Sequence, residues 1–536
     1  MEVFIVHPLR GGMISNSAST SVPLGALTLV ENGRYRVGLV GSDPSQGAAI
    51  SVAKRLGTTR YNATAYTGST AFTMLEDFWR HGTGLAPTQK FVGHTGTSLV
   101  KDDLDGVWDE LLASWGAATT DQNVCFAQGY AVFSTSNNDI PQIWNQTGAT
   151  AALNGGGLPR FTAAIYDLRR LWTVGETSPL SGSANPSRST VSVAGDITDF
   201  SAADATNFIF DEDDGDRLIA VAPFLKSRYY FKGPNRGSLH RVSGTTPTTF
   251  VKERMASGII YGAVAFKSVI PTPNDIYWVS PVGIHSLSAT QKYGDTQTAF
   301  LSYPIQDQFQ GLNFARLNQI QGFYHPLYNI LGWSIPTGSS TTNDSLFVYD
   351  LATGYWSVWY FSNFDVGAMM IARTPTTAIP RLYLGGYDGF VRAGDQTTLA
   401  DDNQTYGYTL RVKTPNHLRL SQSATEIHEK QFYGVSAIVR PAGDYDLSLT
   451  VSVDGRSQTK MLDLATGAGG LIGTTAIVGT WVIGDANATS LVDAVVEDRG
   501  RAISLEFTQP GVNENAELYG YALRYEPAEA MSMEPS

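Results

Sequence analysis

Two adjoining stretches concentrate the side chains that could do chemistry. Asp211–Asp216 reads DEDDGD, and Asp216–Gly244 reads DRLIAVAPFLKSRYYFKGPNRGSLHRVSG. An acidic run around a glycine suggests a cation loop. A calcium loop of the EF-hand type, however, needs its glycine sixth and a bidentate glutamate twelfth. Counted from Asp211, Gly215 is fifth and Ala222 twelfth, so the run reads as a solvated turn between strands, with an adventitious cation as the lesser reading. The second stretch offers Lys226, Arg228, Lys232, Arg236 and Arg241 beside Tyr229 and Tyr230. Cations interleaved with aromatic rings suit a phosphate-facing stripe on which bases stack. Strand alternation works against this, because it puts Arg228 and Tyr230 on one face and Tyr229 and Phe231 on the other.

Nothing else in the chain has the spacing of a catalytic motif. There is no H-E-x-x-H, no Walker A loop and no G-x-S-x-G, and the eight histidines are scattered without a second ligand at metal-binding spacing. YDLATGYWSVW carries Asp350, Gly354 and Trp356, yet lacks the serine and the spacing of a sialidase box. A WD-repeat reading lacks its Gly-His and Trp-Asp pairs. Cys125 is the only cysteine, which excludes an intrachain disulfide and a cysteine-cluster metal site. The expectation is therefore no enzyme, no cofactor and no metal.

The bulk properties point the same way. The 536 residues are 42% hydrophobic but only 16% charged, with 25 Tyr, 24 Phe and 10 Trp. Aromatic and β-branched residues suit pleated faces, and Gly and Asn suit turns, so an all-β chain is expected. Low charge also suits a surface covered by neighbours. A net charge of −12 argues against tight DNA binding, which draws on basic excess and counterion release. No apolar stretch approaches the roughly 20 residues needed to span a bilayer. The opening MEVFIVHPLRGG is no signal peptide, so cytoplasmic synthesis is expected.

The elements that must position these residues recur. DRLIAVAPFLKSRYYFKGPNRGSLHRVSG is an apolar strand, an aromatic strand, a turn and a short strand. NDIYWVSPVGIHSLSAT and PRLYLGGYDGFVRAGD repeat that order. Anchoring on the aromatic or aliphatic strand gives Phe91, Tyr130, Leu171, Tyr230, Tyr277, Leu331 and Tyr383, roughly 40 to 60 residues apart, the interval of four-stranded propeller blades. An irregular six- or seven-bladed β-propeller over residues 66–405 is expected. Within it, Leu104, Val107, Leu111 and Trp115 fall at helical spacing and predict a short helix. Residues 1–65 read as a separate segment: a hairpin turning at Glu31-Asn32-Gly33, then polar loop through Ala65. From residue 406 to 536 about six longer, cleanly alternating strands, GTWVIG among them, read as a C-terminal β-sandwich with a flexible tail.

Several stretches also resemble a known family. FAQGYAVFSTSNNDIPQIWN, LEDFWRHGTGLAPTQKFVGHTGTSLVKDD, the run from GDITDF through DGDRLIAVAPF to SLHRVSG, YWVSPVGIHSLSA and GRAISLEFTQPGVNENAELYGYALRYEP are similar to segments of the propeller-containing tail hub, or nozzle, proteins of short-tailed bacteriophages. Some of these are called DNA-stabilisation proteins. The likeness spans most of residues 20–527. It implies a virion tail protein assembled in the host cytoplasm: a homo-oligomeric, usually hexameric ring below the portal and adaptor. Such a ring extends the DNA channel, retains the genome, docks fibres or a needle, and touches genomic dsDNA only transiently. On that reading Asp211, Glu212, Asp213, Asp214 and Asp216, with Asp102, Asp103 and Asp105, are expected as acidic loops facing the lumen, where a low-friction conduit avoids phosphate-binding charge. The alternative is a propeller tail protein that binds or cleaves host glycans.

Overall fold

The computed structural model describes the chain apart from residues 1, 8, 40–47, 69–70, 82–86, 117–120, 154–157, 179–183, 256–260, 289–299, 376, 396–397, 403–406, 419, 421–427, 441–444, 465–489 and 529–536. GTWVIG and the tail AEAMSMEPS after its first alanine lie outside the described residues. The chain forms two compact units, and neither is one run of sequence. One comprises Thr59–Phe347 and Asn363–Gly394; the other comprises Met1–Thr58, Val348–Ser362 and Asp395–Ser536.

The first unit is a seven-bladed propeller. Its first blade is Phe72–His81, Pro87–Thr95, Ser98–Asp102 and Trp108–Leu112, each strand antiparallel to the next. The second, third and fourth blades repeat that meander from Gln122–Ala127, Arg160–Asp167 and Arg217–Phe224. The fifth has three described strands, Ile270–Pro271, Ile276–Ser280 and Gly283–Ser286. The sixth begins Gln321–His325 and Ile330–Ile335, and the seventh is Val366–Thr374, Thr377–Gly386 and Val391–Asp395. Strand Gly57–Arg60 lies outermost in the seventh sheet, and Tyr61 N–H just beyond it donates to the Val391 carbonyl. Innermost strands pack in succession from blade to blade, and Val366–Thr374 closes the circle against Phe72–His81.

Two-faced apolar sheets explain the ring. On Phe72–His81, Phe72 and Leu75 pack with Ala368, Met370 and Tyr383 of the seventh blade, while Met74 and Phe78 pack with Ala131, Phe133 and Trp144 of the second. Between the third and fourth blades, Trp172 and Val174 meet Leu218, Tyr230 and Val242. Every blade anchor read from the sequence falls on the second strand of its own sheet: Phe91, Tyr130, Leu171, Tyr230, Tyr277, Leu331 and Tyr383.

The second unit is a β-sandwich. One sheet orders Gly33–Leu39, Ala48–Lys54, Glu517–Pro527, Lys430–Arg440 and Ser490–Gly500, with Glu2–Val6 also paired to Glu517–Pro527. The other runs Tyr355–Trp359, Leu29–Glu31, Leu410–Lys413, Ile503–Gln509, Asp446–Val453 and Arg456–Asp463. The alternation of Leu447, Leu449, Val451 and Val453 places all four in the core.

Three local expectations are corrected. The helix predicted from Leu104 to Trp115 is instead a turn, with Leu104 and Gly106 at φ 69° and 79°, followed by strand Trp108–Leu112. A blade needs its fourth strand, and four apolar residues spread over a turn imitate helical spacing. Glu31-Asn32-Gly33 is not a hairpin, because Leu29–Glu31 pairs with Leu410–Lys413 and Gly33–Leu39 pairs with Ala48–Lys54. Asn32, at φ 52°, hands the chain from one sheet to the other. Residues expected as loop before Ala65 include strands Ala48–Lys54 and Gly57–Arg60.

Beside Asn32 the sandwich buries an ion pair. Arg55 Nη2 meets Asp401 Oδ2 at 2.5 Å, with both side chains almost fully enclosed, and the guanidinium lies 3.6 Å from the Tyr408 ring centroid. Asn32 Oδ1, the Tyr360 carbonyl and the Leu56 carbonyl accept further N–H groups at 3.1, 2.9 and 2.9 Å, and Asp401 Oδ1 accepts another at 3.0 Å. Removing one member of such a pair strands a buried charge. Asp401→Asn is therefore expected to lower stability by about 3–5 kcal/mol, read as a shifted midpoint in chemical denaturation.

Candidate functional site

In a propeller the innermost strands converge, so side chains from distant blades meet at the axis. Strand Phe72–His81 brings Glu76, and Asp121 leads into strand Gln122–Ala127, which carries Asn123. Thr162 comes from Arg160–Asp167, Arg217 opens Arg217–Phe224, Lys267 sits in the short turn Phe266–Ser268, and Gln321 opens Gln321–His325. Six blades thus contribute a polar side chain.

These groups hold one another in place. Lys267 Nζ donates to the Thr73 carbonyl at 2.7 Å, and Gln321 Nε2 donates to the same oxygen at 2.8 Å. Asn123 Nδ2 donates to the Thr162 carbonyl at 3.0 Å. Arg217 stands 4.0 Å from Asp121, whose carboxylate also accepts from Ser136 Oγ at 3.2 Å. Between them is a cavity of about 20 Å³ lined by Asp121, Asn123, Thr162, Arg217, Lys267 and Gln321, room for about one water. Asn123 is 2% exposed, and its Oδ1 has no hydrogen-bond partner among the described residues.

The electrostatics are those of charges held in a narrow space. Protein surrounds Glu76, although the side chain is only half-buried to solvent, and desolvation pushes its carboxyl up to about 7 against the pull of Lys267. Burial brings the Lys267 ammonium down to about 8, opposed by Glu76 and Asp121. Desolvation raises Asp121 too, with Arg217 and Ser136 acting in the other direction. Glu76, which keeps its proton towards neutrality, and Asp121, held by a guanidinium, thus act on the same Lys267 ammonium, and perturbed groups of this kind mark candidate acid–base sites. Arg217 also lines a second pocket of about 470 Å³ with Asn185, Glu212, Asp213, Asp216 and Asn235, within the usual range for small-molecule sites.

The residues singled out from the sequence lie elsewhere, and most serve the scaffold. Lys232 is fully buried, with Nζ donating to Phe210 O, Asp211 O and Asp214 Oδ1 at 2.9, 2.7 and 2.7 Å. The Asp216 carboxylate accepts the N–H groups of Asn235, Arg236 and Gly237 at 2.7, 2.8 and 2.7 Å. The acidic run and the basic stretch therefore satisfy each other within one blade. Arg228 is buried against Asp167 at 2.6 Å and over the Trp172 ring, Tyr230 bonds Ser189, and Arg241 pairs with Glu253. No continuous stripe with Lys226, Arg236 and Tyr229 remains.

Two of the expected lumen-facing acids are corrected. Asp102 is 0% exposed, accepts Tyr61 Oη–H at 2.9 Å and is pushed up to about 6 by burial; Asp216 is 6% exposed. Buried, internally bonded carboxylates present no charge to a channel. Asp103 pairs with Lys90 and Lys101, Asp105 caps Val107 N–H, Asp211 pairs with Arg254, and Glu212 accepts from Asn185. With Asp213 and Asp214 they sit in turns between strands. Among the described residues no three His, Cys, Asp or Glu side chains gather as for a metal ion.

Sequence reasoning missed Glu76, Asp121, Asn123, Arg217, Lys267 and Gln321. A faint signal was present: Glu76 and Asp77 interrupt the aromatic strand FTMLEDFW, and Lys267 interrupts AVAFKSVI.

No family model and no curated protein matches the chain. Among solved structures it is similar to an exo-β-1,3-galactanase from Phanerochaete chrysosporium bound to galactotriose, with 10% identity over 88% of this chain and 100% of that one and a TM-score of 0.26. It is similar to virginiamycin B lyase from Staphylococcus aureus, with 9% identity over 63% and 98% and a TM-score of 0.38. A gluconolactonase from Xanthomonas campestris gives 10% identity over 68% and 97% and a TM-score of 0.31. These values carry no activity or residue role across. The structures found are enzymes by name, which stands against the expectation of a non-enzyme. That expectation rested on missing motif strings, whereas a propeller collects polar groups from separate blades and leaves no string to find.

The shifts fix a pH dependence. Glu76 binds its proton more tightly folded than unfolded, so stability falls as pH rises from about 4.5 to about 7. Lys267 does the reverse, so stability recovers between about 8 and 10.5. Glu76→Gln is expected to remove most of the fall between pH 4.5 and 7, on the order of 2 kcal/mol, measured by denaturation at stepped pH.

Proposed function

We propose that the chain is a carbohydrate-directed propeller protein of a bacteriophage tail that binds host glycans and cleaves them at the axial cluster. The observation that carries this is Glu76, a carboxyl raised to about 7, which shares the Lys267 ammonium with Asp121. Glycosidic hydrolysis needs one carboxyl protonated, to hand a proton to the leaving oxygen, and another ionised. Glu76 takes the first role. Asp121, steadied by Arg217, takes the second. A sugar ring is too large for the cavity and lodges in the 470 Å³ pocket; the mechanism requires the bond to be cut to pass Arg217, which lines both, and come within hydrogen-bond reach of the carboxyls. The tail setting rests on the sequence resemblance.

A second reading follows from the same resemblance and from the net charge of −12: a ring-forming hub subunit that extends the DNA channel. Asp103, Asp105, Asp211, Glu212, Asp213 and Asp214 are then its lumen-facing acids. Native mass spectrometry and electron microscopy of the purified chain distinguish the readings, since the hub reading requires a closed ring, usually six-fold.

For the glycan reading, the test is release of reducing ends from polysaccharide extracted from the host envelope. Wild type is expected to release them, while Glu76→Gln and Asp121→Asn each slow release by about 10²–10⁴ and leave glycan binding intact. Binding without release by wild type would reduce the assignment to a lectin-like module. Neither binding nor release would overturn it.

A further inference from the structure

We propose a second saccharide subsite on the first blade, three residues along the strand from Glu76, in which Trp79 is the stacking platform for a pyranose ring. This proposal rests on the carbohydrate reading above and adds to it a site that the axial cluster does not need.

Trp79 lies on strand Phe72–His81, directly opposite Gln89 on Pro87–Thr95. Its side chain is 44% exposed, yet it is not loose. Indole Nε1 donates to Asp77 Oδ2 at 2.9 Å, and the other oxygen of Asp77 accepts from Gln89 Nε2 at 2.8 Å. Gln89 Nε2 also donates to the Arg373 carbonyl, which fixes the orientation of the amide. The carboxylate therefore ties the ring to the opposite strand and holds its face in one direction. A rigid, pre-oriented aromatic binds at a lower entropic cost than a mobile one.

A second observation is independent of that exposure. Gln89 is 9% exposed, and its Oε1 has no hydrogen-bond partner among the described residues. That oxygen is itself enclosed, so the amide braces Asp77 from below rather than meeting a ligand. Asp77 has lone pairs to spare for ligand hydroxyls, and the exposed Arg373 supplies a cation nearby. An apolar face for C–H groups beside a carboxylate and a guanidinium is the chemistry that recognises a sugar ring, with its apolar face and its rim of hydroxyls. A nucleobase would also stack, but the acidic Asp77 and the acidic chain as a whole oppose its phosphates.

The test uses the full chain on an array of immobilised bacterial surface glycans, with hydrolysis of a bound glycan measured separately in solution. Trp79→Ala is expected to weaken retention at least tenfold, Trp79→Phe to restore part of it, and Asp77→Asn to weaken it about threefold or more by freeing the indole. Hydrolysis of a short soluble glycan should stay within twofold of wild type in both Trp79 variants. An exposed side chain leaves the core intact, and an unchanged melting temperature checks this. If wild type binds a glycan and Trp79→Ala retains it equally, the subsite is overturned while the carbohydrate reading stands. If wild type binds no glycan, both fall. Equal loss of retention and hydrolysis in Trp79→Ala would also overturn the subsite, because Trp79 would then belong to the reacting centre.

Discussion

A four-stranded antiparallel sheet of this composition has two apolar faces, and neither can be left in water. Phe72 and Leu75 point to one neighbour and Met74 and Phe78 to the other, and burying a side chain of this size is worth about 1.5–3 kcal/mol. Each blade must be covered twice, so the only arrangement without a bare face is a closed ring. Val366–Thr374 against Phe72–His81 supplies the closure, and the strand preceding the first blade takes the outer place in the last. The axis is a consequence. Backbone groups of the innermost strands face a narrow space and need partners, which is why the Thr73 carbonyl accepts from Lys267 and Gln321, 194 and 248 residues away.

The charged residues divide according to that geometry. Away from the axis they serve the scaffold: Lys232 gathers the acidic turn, Asp216 caps three amides, and Arg392 pairs with Asp388 at 2.6 Å while lying over Phe364. These are buried ions with their hydrogen bonds supplied, the condition under which burial is tolerated. At the axis the account is incomplete. Asn123 has a free acceptor, Glu76 holds its proton too strongly and Lys267 too weakly. Unfinished polar networks are expensive in a scaffold, and their place in a converging cavity is what separates them from the structural pairs.

Strand identity and blade spacing were legible because they are local. Period-two alternation and turn residues act over a few positions, so Tyr230, Tyr277 and Tyr383 could be recognised as equivalent without any contact known. The same local logic failed where a distant partner decides. Asn32-Gly33 has the letters of a hairpin, but Leu410–Lys413 and Ala48–Lys54 claim its two sides. Trp108 belongs to a strand because a third strand was waiting for a fourth.

The sequence by itself therefore determined an all-β chain of repeated blades, the strand that anchors each, and the cleanly alternating faces that form a sandwich. Only the tertiary structure decided which charges meet. The basic stretch looked like a surface stripe until Lys232 and Arg228 turned inward. Glu76, Asp121 and Lys267 had no common signature, since nothing in a linear pattern encodes which blades face one another across an axis. Ring closure is a non-local event, and the site exists only after it.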